Sequence, residues 1–220
     1  MRDLVVFGAG EIAELADFYF RHDSDRTVAA FVVDGAYLKE PTFSGRPVIA
    51  TEEVVGRFKP NEHDAFVAVS YSGVNAVRTA KVAAMREAGY AIASYVSSRA
   101  TTFPGFAPGP NAFILEDNTI QPFVRIGENV TLWSGNHIGH HSVIEDNCFL
   151  ASHIVVSGGV TVGRGSFIGV NATLRDHIRI GERCVIGAGA CVMKNLDDEA
   201  VMPAPGGEPA KIKSSRLRGI

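Results

Sequence analysis

Through the second half of the chain an aliphatic residue recurs at every sixth position: Ile114, Ile120, Ile126, Leu132, Ile138, Ile144, Leu150, Val156, Val162, Ile168, Leu174, Ile180, Ile186 and Val192. A period of six fits neither an α-helix nor a simple hairpin array. It fits short strands joined by sharp corners, three sides to a coil of eighteen residues, each coil stacked on the next. The residue four after the aliphatic is small or apolar (Val124, Val130, Ser142, Cys148, Val160, Ser166, Ala172, Cys184, Ala190), as a second interior position requires. The residue directly after it is often Gly (Gly127, Gly139, Gly163, Gly169, Gly181, Gly187), and these glycines are expected to turn the corners. Coils stacked at the inter-strand spacing of about 4.8 Å make residues eighteen apart neighbours.

Before residue 98 the pattern is different. The apolar runs Leu4–Phe7, Val28–Val33, Ala65–Val69 and Ile92–Val96 read as buried parallel strands. Between them, Ile12, Leu15, Ala16, Tyr19 and Phe20 share a helical face, Thr51 with Glu52 and Glu53 reads as a capped short helix, and Val74–Glu87 reads as a longer one ended by Gly89. Alternation of this kind predicts a small α/β domain. Thr101–Pro110, with three prolines and two glycines, reads as a rigid connector.

The formal net charge of -3 argues against a nucleic-acid partner, which would call for an excess of Lys and Arg. Gly8 interrupts the first apolar run before a leader or a membrane span could form, so no membrane insertion and a cytoplasmic location are expected. Cys148, Cys184 and Cys191 form no CxxC pair and are expected to be reduced, the first two as core thiols.

These repeats, together with Val6-Phe7-Gly8-Ala9-Gly10, the segment Leu132-Trp133-Ser134-Gly135-Asn136-His137-Ile138-Gly139-His140-His141-Ser142-Val143-Ile144 and the ending Gly207-Glu208-Pro209-Ala210-Lys211, resemble the bacterial hexapeptide-repeat acyltransferases. Within that group the chain is similar to the sialic-acid and bacillosamine-type sugar acetyltransferases. The resemblance implies an α/β N-terminal Rossmann-like small domain followed by an all-β left-handed parallel β-helix. Residues 1–98 would bind a nucleotide-sugar, 99–113 would connect, 114–202 would form the β-helix acyltransferase domain and 203–220 a C-terminal tail. It further implies a homotrimer, with acetyl-CoA between neighbouring β-helices and no metal. Cofactor contacts are expected from Phe149, Gly159, Gly169, Val170, Asn171, Gly187 and Ala188, with Lys211 or Lys213 at the 3′-phosphate. A prism with flat sides gains by packing side by side, which agrees with the trimer.

Five of the seven histidines, His137, His140, His141, His153 and His177, lie in the repeats. Transfer of an acyl group from a thioester to an amino or hydroxyl group, the two acceptors left open for a nucleotide-linked sugar, needs a base for the acceptor's proton, which imidazole supplies near neutral pH, and a donor for the developing oxyanion. By resemblance the base is His140, two after Ile138, with His141 the second catalytic candidate, expected to neighbour or tune it, and the oxyanion donor is Gly158. Their eighteen-residue offset puts both on adjacent coils. The chain departs from the bacillosamine type at His141, where relatives carry an acidic residue, and at Phe149, where they carry a second His. Glu116, Asp117, Glu145 and Asp146 are then candidates to orient His140. His153 and His177 read as surface residues, and His137 as a corner residue.

Gly8-Ala9-Gly10-Glu11, after a strand and opening a helix, with Asp34 ending the next strand, is a short dinucleotide-type fingerprint. Fewer than a hundred residues precede the repeats, room for one mononucleotide half rather than an NAD-binding pair. By resemblance Gly8, Gly10, Glu11, Asp34, Ser70, Tyr71 and Asn75 contact a nucleotide-sugar, with Arg78 nearby. Two rival readings are a γ-carbonic-anhydrase-like zinc enzyme on the same β-helix, against which the two-coil separation of His141 and His177 counts, and a non-catalytic nucleotide-binding scaffold.

Overall fold

Four consecutive apolar residues, Leu4 to Phe7, suit a strand covered on both faces. In the computed structural model, which describes residues 2–206, they form strand β1 (Asp3–Phe7) at the interior of a small sheet. β1 pairs in parallel with β2 (Val28–Val33) and with β5 (His63–Val67); β2 pairs in parallel with β4 (Arg46–Ala50), to which β3 (Thr42–Phe43) adds an antiparallel edge. Helix α1 (Glu11–Asp23) buries Ala13, Ala16 and Phe20 against Leu4, Val6, Phe31 and Phe66. Helices α2 (Thr51–Arg57) and α3 (Ala76–Glu87) bury Val54, Val82 and Met85 against Val5, Phe7 and Val32 on the other face. Each such aliphatic side chain contributes about 1.5–3 kcal/mol on burial.

In this half one element is unexpected and two expectations are corrected. The apolar runs do not signal the β3–β4 hairpin; Ser44 and Gly45, both at positive φ, turn it. Thr51 does not cap α2: Ala50 precedes the helix, and the Thr51 hydroxyl donates to Val33 O at 3.0 Å, stitching α2 to β2. The run Ile92–Val96 is divided, because Ile92 makes a single bridge to Ala65 whereas Tyr95–Val96 pairs with Phe113–Ile114 of the repeat region.

The repeats form three parallel sheets whose strands are eighteen residues apart, a left-handed β-helix. Leu132 lies between Ile114 and Leu150 on the first face, Ile138 between Ile120 and Val156 on the second, and Ile144 between Ile126 and Val162 on the third. The interior aliphatics and the small residues four positions on are buried as one core. Residues 99–113 run beside the first coil: Thr101 bridges Thr119, and Ala100 and Phe106 pack on the core.

The corners are built differently from the sequence expectation. Left-handed φ falls three residues after each aliphatic from Ile114 to Ile186, at Asp117, Phe123, Asn129, Gly135, His141, Asn147, His153, Gly159 and onward, not at the glycines that follow the aliphatic directly. Those glycines answer to space. A Cβ on Gly139 would lie 2.6 Å from Gly158 N, and one on Gly163 would lie 2.5 Å from the Gly181 carbonyl carbon. His137 is in a strand rather than at a corner.

The two halves are locked along one edge. Asn111 both accepts from Val67 N and donates to Val67 O, and its amide starts a ladder through Asn129 to Asn147 with 2.8 Å links. Arg78 reaches from α3 to Thr131 Oγ1 and the carbonyls of Asn129, Asn147 and Cys148 at 3.0–3.2 Å. Burial pulls the Arg78 guanidinium down to about 10, still charged at neutral pH. Tyr19 and Tyr95 add hydrogen bonds to Glu116 and Asp23.

Candidate active site

The turn after β1 is shaped by contact. Gly8 has φ +124, and a Cβ there would fall 2.6 Å from Ala68 O, so a larger residue would push β1 and β5 apart. Gly10 caps α1 without a side chain, and Ala13 and Glu14 both donate to Gly10 O, which leaves the N–H groups of Glu11 and Ile12 at the helix's open end. Gly8 to Ile12, Leu15, Ala68 to Tyr71 and Trp133 line a cavity of about 560 Å³ there. Gly8, Gly10, Glu11, Ser70 and Tyr71 are thus together. Asp34 is not among them, and its carboxylate is held by Lys81 at 2.7 Å through both oxygens.

Asn75 and Arg78 lie apart from these residues. Asn75 is buried, at φ +66, and donates to Gly165 O at 2.9 Å, while Arg78 is buried beneath Phe149. Both face the β-helix rather than the cavity, because α3 packs that side on the repeats.

A second cavity, about 460 Å³, adjoins the first through Ile12, Tyr71 and Trp133 and continues along Phe149, Ala151, Ser152, Phe167, Gly169, Val170 and Ala188. Its walls are mainly apolar. Tyr71 lies over Phe149 and Phe167 with ring centroids 4.9 and 4.7 Å away. Of the residues expected at the cofactor, Phe149, Gly169, Val170 and Ala188 line this cleft, Asn171 is exposed at the same corner with left-handed φ, and Gly159 belongs to the next corner. Lys211 and Lys213, and the ending that holds Lys211, lie outside the described residues.

Trp133 and Phe167 also touch these cavities, and sequence reasoning misses both. The available signal for Trp133 is its position: it directly follows an interior aliphatic, where Gly or Ala is frequent and no other aromatic occurs.

The histidine cluster occupies the corner after the second face. The His140 imidazole lies against Gly158, so a Cβ on that glycine would be 2.7 Å from His140 Cε1 and 2.8 Å from Nε2. The ladder passes over the Gly158 N–H: Gly159 N donates to His140 O and His177 N donates to Gly158 O, and among the described residues the Gly158 N–H donates to nothing. His140 N donates to Gln121 Oε1 at 2.8 Å, and the Nδ1 atoms of His140 and His141 are 3.1 Å apart. His177 stacks over Gly159 one coil on, and His153 over Gly135 at the other corner.

None of the four acidic candidates meets His140. Glu116 accepts from Tyr19 and Ser134 at 2.7 Å, Asp117 faces Arg99, Glu145 accepts from Arg164 N, and Asp146 accepts from Glu128 N. Burial works against ionising Glu116, but the hydroxyls of Ser134 and Tyr19 outweigh it and hold the carboxyl below its ordinary range. The Tyr19 phenol is pushed up to about 12, first by burial and then by Glu116. Burial also pushes the Cys148 thiol up to about 12, which leaves it unreactive. Among the described residues no three His, Cys, Asp or Glu side chains are grouped to hold a metal ion, and no helix is long and apolar enough to cross a membrane.

Fold and cavities together define a class: a left-handed β-helix of six-residue repeats, fronted by a Rossmann-like domain whose Gly-rich turn opens onto the repeat surface. Residues 141–176 and 159–194 match the bacterial transferase hexapeptide (six repeats) family, and the architecture of the whole chain is similar to that of solved sugar acetyltransferases. It is similar to PerB from Caulobacter crescentus in complex with CoA and GDP-perosamine, at 26% identity and TM-score 0.82 over 97% of this chain and 98% of that one. The acetyltransferase domain of PglB from Neisseria gonorrhoeae shares the fold at 21% identity and TM-score 0.78, over 96% of this chain and 100% of that one. WeeI from Acinetobacter baumannii shares it at 18% identity and TM-score 0.70, over 91% and 96%. Among curated proteins none matches the chain.

Proposed function

We propose that this protein transfers an acetyl group from acetyl-CoA to an amino group of a nucleotide-linked sugar, with His140 as general base and Gly158 N–H as oxyanion donor. The observation that carries the reading is the His140 ring seated against Gly158, whose N–H is unclaimed by the ladder among the described residues. A base and an oxyanion donor on adjacent coils suit direct attack on a thioester. The acceptor nitrogen bonds to the thioester carbon as its proton passes to His140 Nε2. Gly158 N–H meets the oxyanion, the carbon–sulfur bond then breaks, and His140 returns the proton to the leaving thiolate to give free CoA.

The N-terminal cavity, with its open helix end, suits the phosphates of a nucleotide, and Trp133 and Tyr71 border the path from it to the apolar cleft. The cleft suits a pantetheine arm. Likeness to PerB, bound to CoA and GDP-perosamine, favours an amino acceptor over a hydroxyl. The histidine corner shares no residue with either cavity of the same chain, so the proposed site is completed by a neighbouring copy in a trimer. The test is CoA release against UDP-, GDP- and dTDP-linked amino and deoxy sugars. Turnover with an amino sugar is expected; turnover only with hydroxyl acceptors would reverse the acceptor assignment, and none with any of them, together with no binding of acetyl-CoA, would reject the reading.

A further inference from the structure

We infer that His141 is the positioning partner of His140: its Nδ1 accepts a hydrogen bond from His140 Nδ1–H, fixes the tautomer of the base, and takes the place that a carboxylate would fill. This rests on the proposed role of His140. The two Nδ1 atoms are 3.1 Å apart, close enough to share one proton, and the rings meet edge to face at 87°. Two neutral imidazoles can make that bond only if one nitrogen donates and the other accepts.

The direction of the bond follows from the other end of the ring. His140 Nε2 is the ring nitrogen beside Gly158, and it takes a proton only if its lone pair is free, so the ring hydrogen must be on Nδ1. His141 Nδ1 is therefore the acceptor, and His141 carries its own hydrogen on Nε2. When His140 gains the acceptor's proton, its Nδ1–H remains bonded to a neutral partner.

Local backbone makes the pair possible. Consecutive side chains in a strand point to opposite faces, but His141 sits at φ +61, and that left-handed step turns its ring onto its neighbour's. Phe123, at the same corner one coil earlier, lies against His141 with centroids 4.7 Å apart, and Gln121 holds the His140 backbone. On the following coils, His177 stacks over Gly159 and Arg175 pairs with Asp176. Glu116, Asp117, Glu145 and Asp146 are engaged elsewhere, so His141 is the ring that meets Nδ1 of His140.

The test uses substitutions that suit a left-handed backbone. In assembled full-length protein, His141→Gly removes the acceptor and is expected to lower kcat by about 10- to 100-fold with little change in KM, the loss of a tautomer-setting partner being a part of the general-base effect. His141→Asn and His141→Asp return an acceptor oxygen and are expected to recover most of that loss. In His141→Asp the acid side of the pH profile should move to higher pH, because an adjacent anion favours the imidazolium. Nitrogen NMR of histidine-labelled protein, with His140 assigned from its absence in His140→Ala, should show His140 protonated at Nδ1 in the wild type. A His141→Gly enzyme with wild-type kcat, an Asn variant no better than Gly, or His140 protonated at Nε2 would each overturn the inference. Wild-type kcat in His140→Ala would instead overturn the base assignment beneath it, so the two failures are distinguishable.

Discussion

At Gly158 one hydrogen atom separates room for the His140 ring from a clash with it. A methyl group there would sit 2.7 Å from His140 Cε1, so Gly158→Ala must swing the imidazole away from the donor it faces. Loss of at least about 10-fold in kcat is expected, with the melting temperature nearly unchanged because the ring is at the surface and can move. A Gly158→Ala enzyme with full kcat would detach His140 from the chemistry. His140→Ala is expected to cost about 10²- to 10⁴-fold in kcat while acetyl-CoA affinity, measured by calorimetry, stays near wild type. The His140–Gly158 pairing is legible from an offset of eighteen because strand register repeats at that interval. The Nδ1 contact to His141 is not legible, because it depends on the sign of one φ angle, and His, Asn, Asp and Gly all serve at these corners.

Elements show why the fold is easier to read than its joints. Interior aliphatics announce themselves by hydropathy, but the glycines after them, expected to turn the chain, in fact serve close coil approach. Gly163→Ala tests this: φ there is ordinary, yet a Cβ would fall 2.5 Å from the Gly181 carbonyl carbon. Destabilisation of about 1–3 kcal/mol is expected from overpacking, read by urea unfolding; a neutral result would return these glycines to a conformational role. Helices hide their orientation in the same way. Asn75 follows Ser70 and Tyr71 closely in sequence, yet α3 turns it onto Gly165, and only packing decides that. At the end of α1, Asp23 accepts from Ser98 N and Tyr95 OH, and these hydrogen bonds hold its carboxyl down to about 2 from 3.8. A folded pKa below the unfolded one contributes stability present above about pH 4 and lost as pH falls toward 2. Asp23→Asn should therefore lower the melting temperature at pH 7 and flatten its decline between those pH values; an unchanged acid decline would assign the loss to other carboxylates.

For the whole molecule, the joint between the halves and the proposed copy beside it decide what the cavities can do. Arg78 ties α3 to four acceptors on the repeats and lies under Phe149, a wall of the cleft, so the N-terminal domain and the cleft are one mechanical unit. Arg78→Met removes hydrogen bonds from a charged donor worth about 1.5–3 kcal/mol each before compensation, and calorimetry should then show the N-terminal domain unfolding ahead of the β-helix. A single unshifted transition would mean that Tyr19, Tyr95 and Asn111 suffice.

The neighbouring copy is tested by mixing. His140→Ala removes the proposed base, and Val170→Trp fills the cleft from an exposed position on its wall. Each homotrimer should be inactive. If each site combines His140 of one subunit with the cleft of the next, random co-assembly after unfolding and refolding leaves a working base beside a working cleft at about one interface in four, and activity should return to roughly a quarter of wild type. Sites contained within one chain cannot be repaired this way, since no subunit would hold both intact parts. Mixed activity no higher than that of the two parents, in protein shown by light scattering to have co-assembled, would confine the site to a single chain and leave the histidine corner and the apolar cleft as separate features of it.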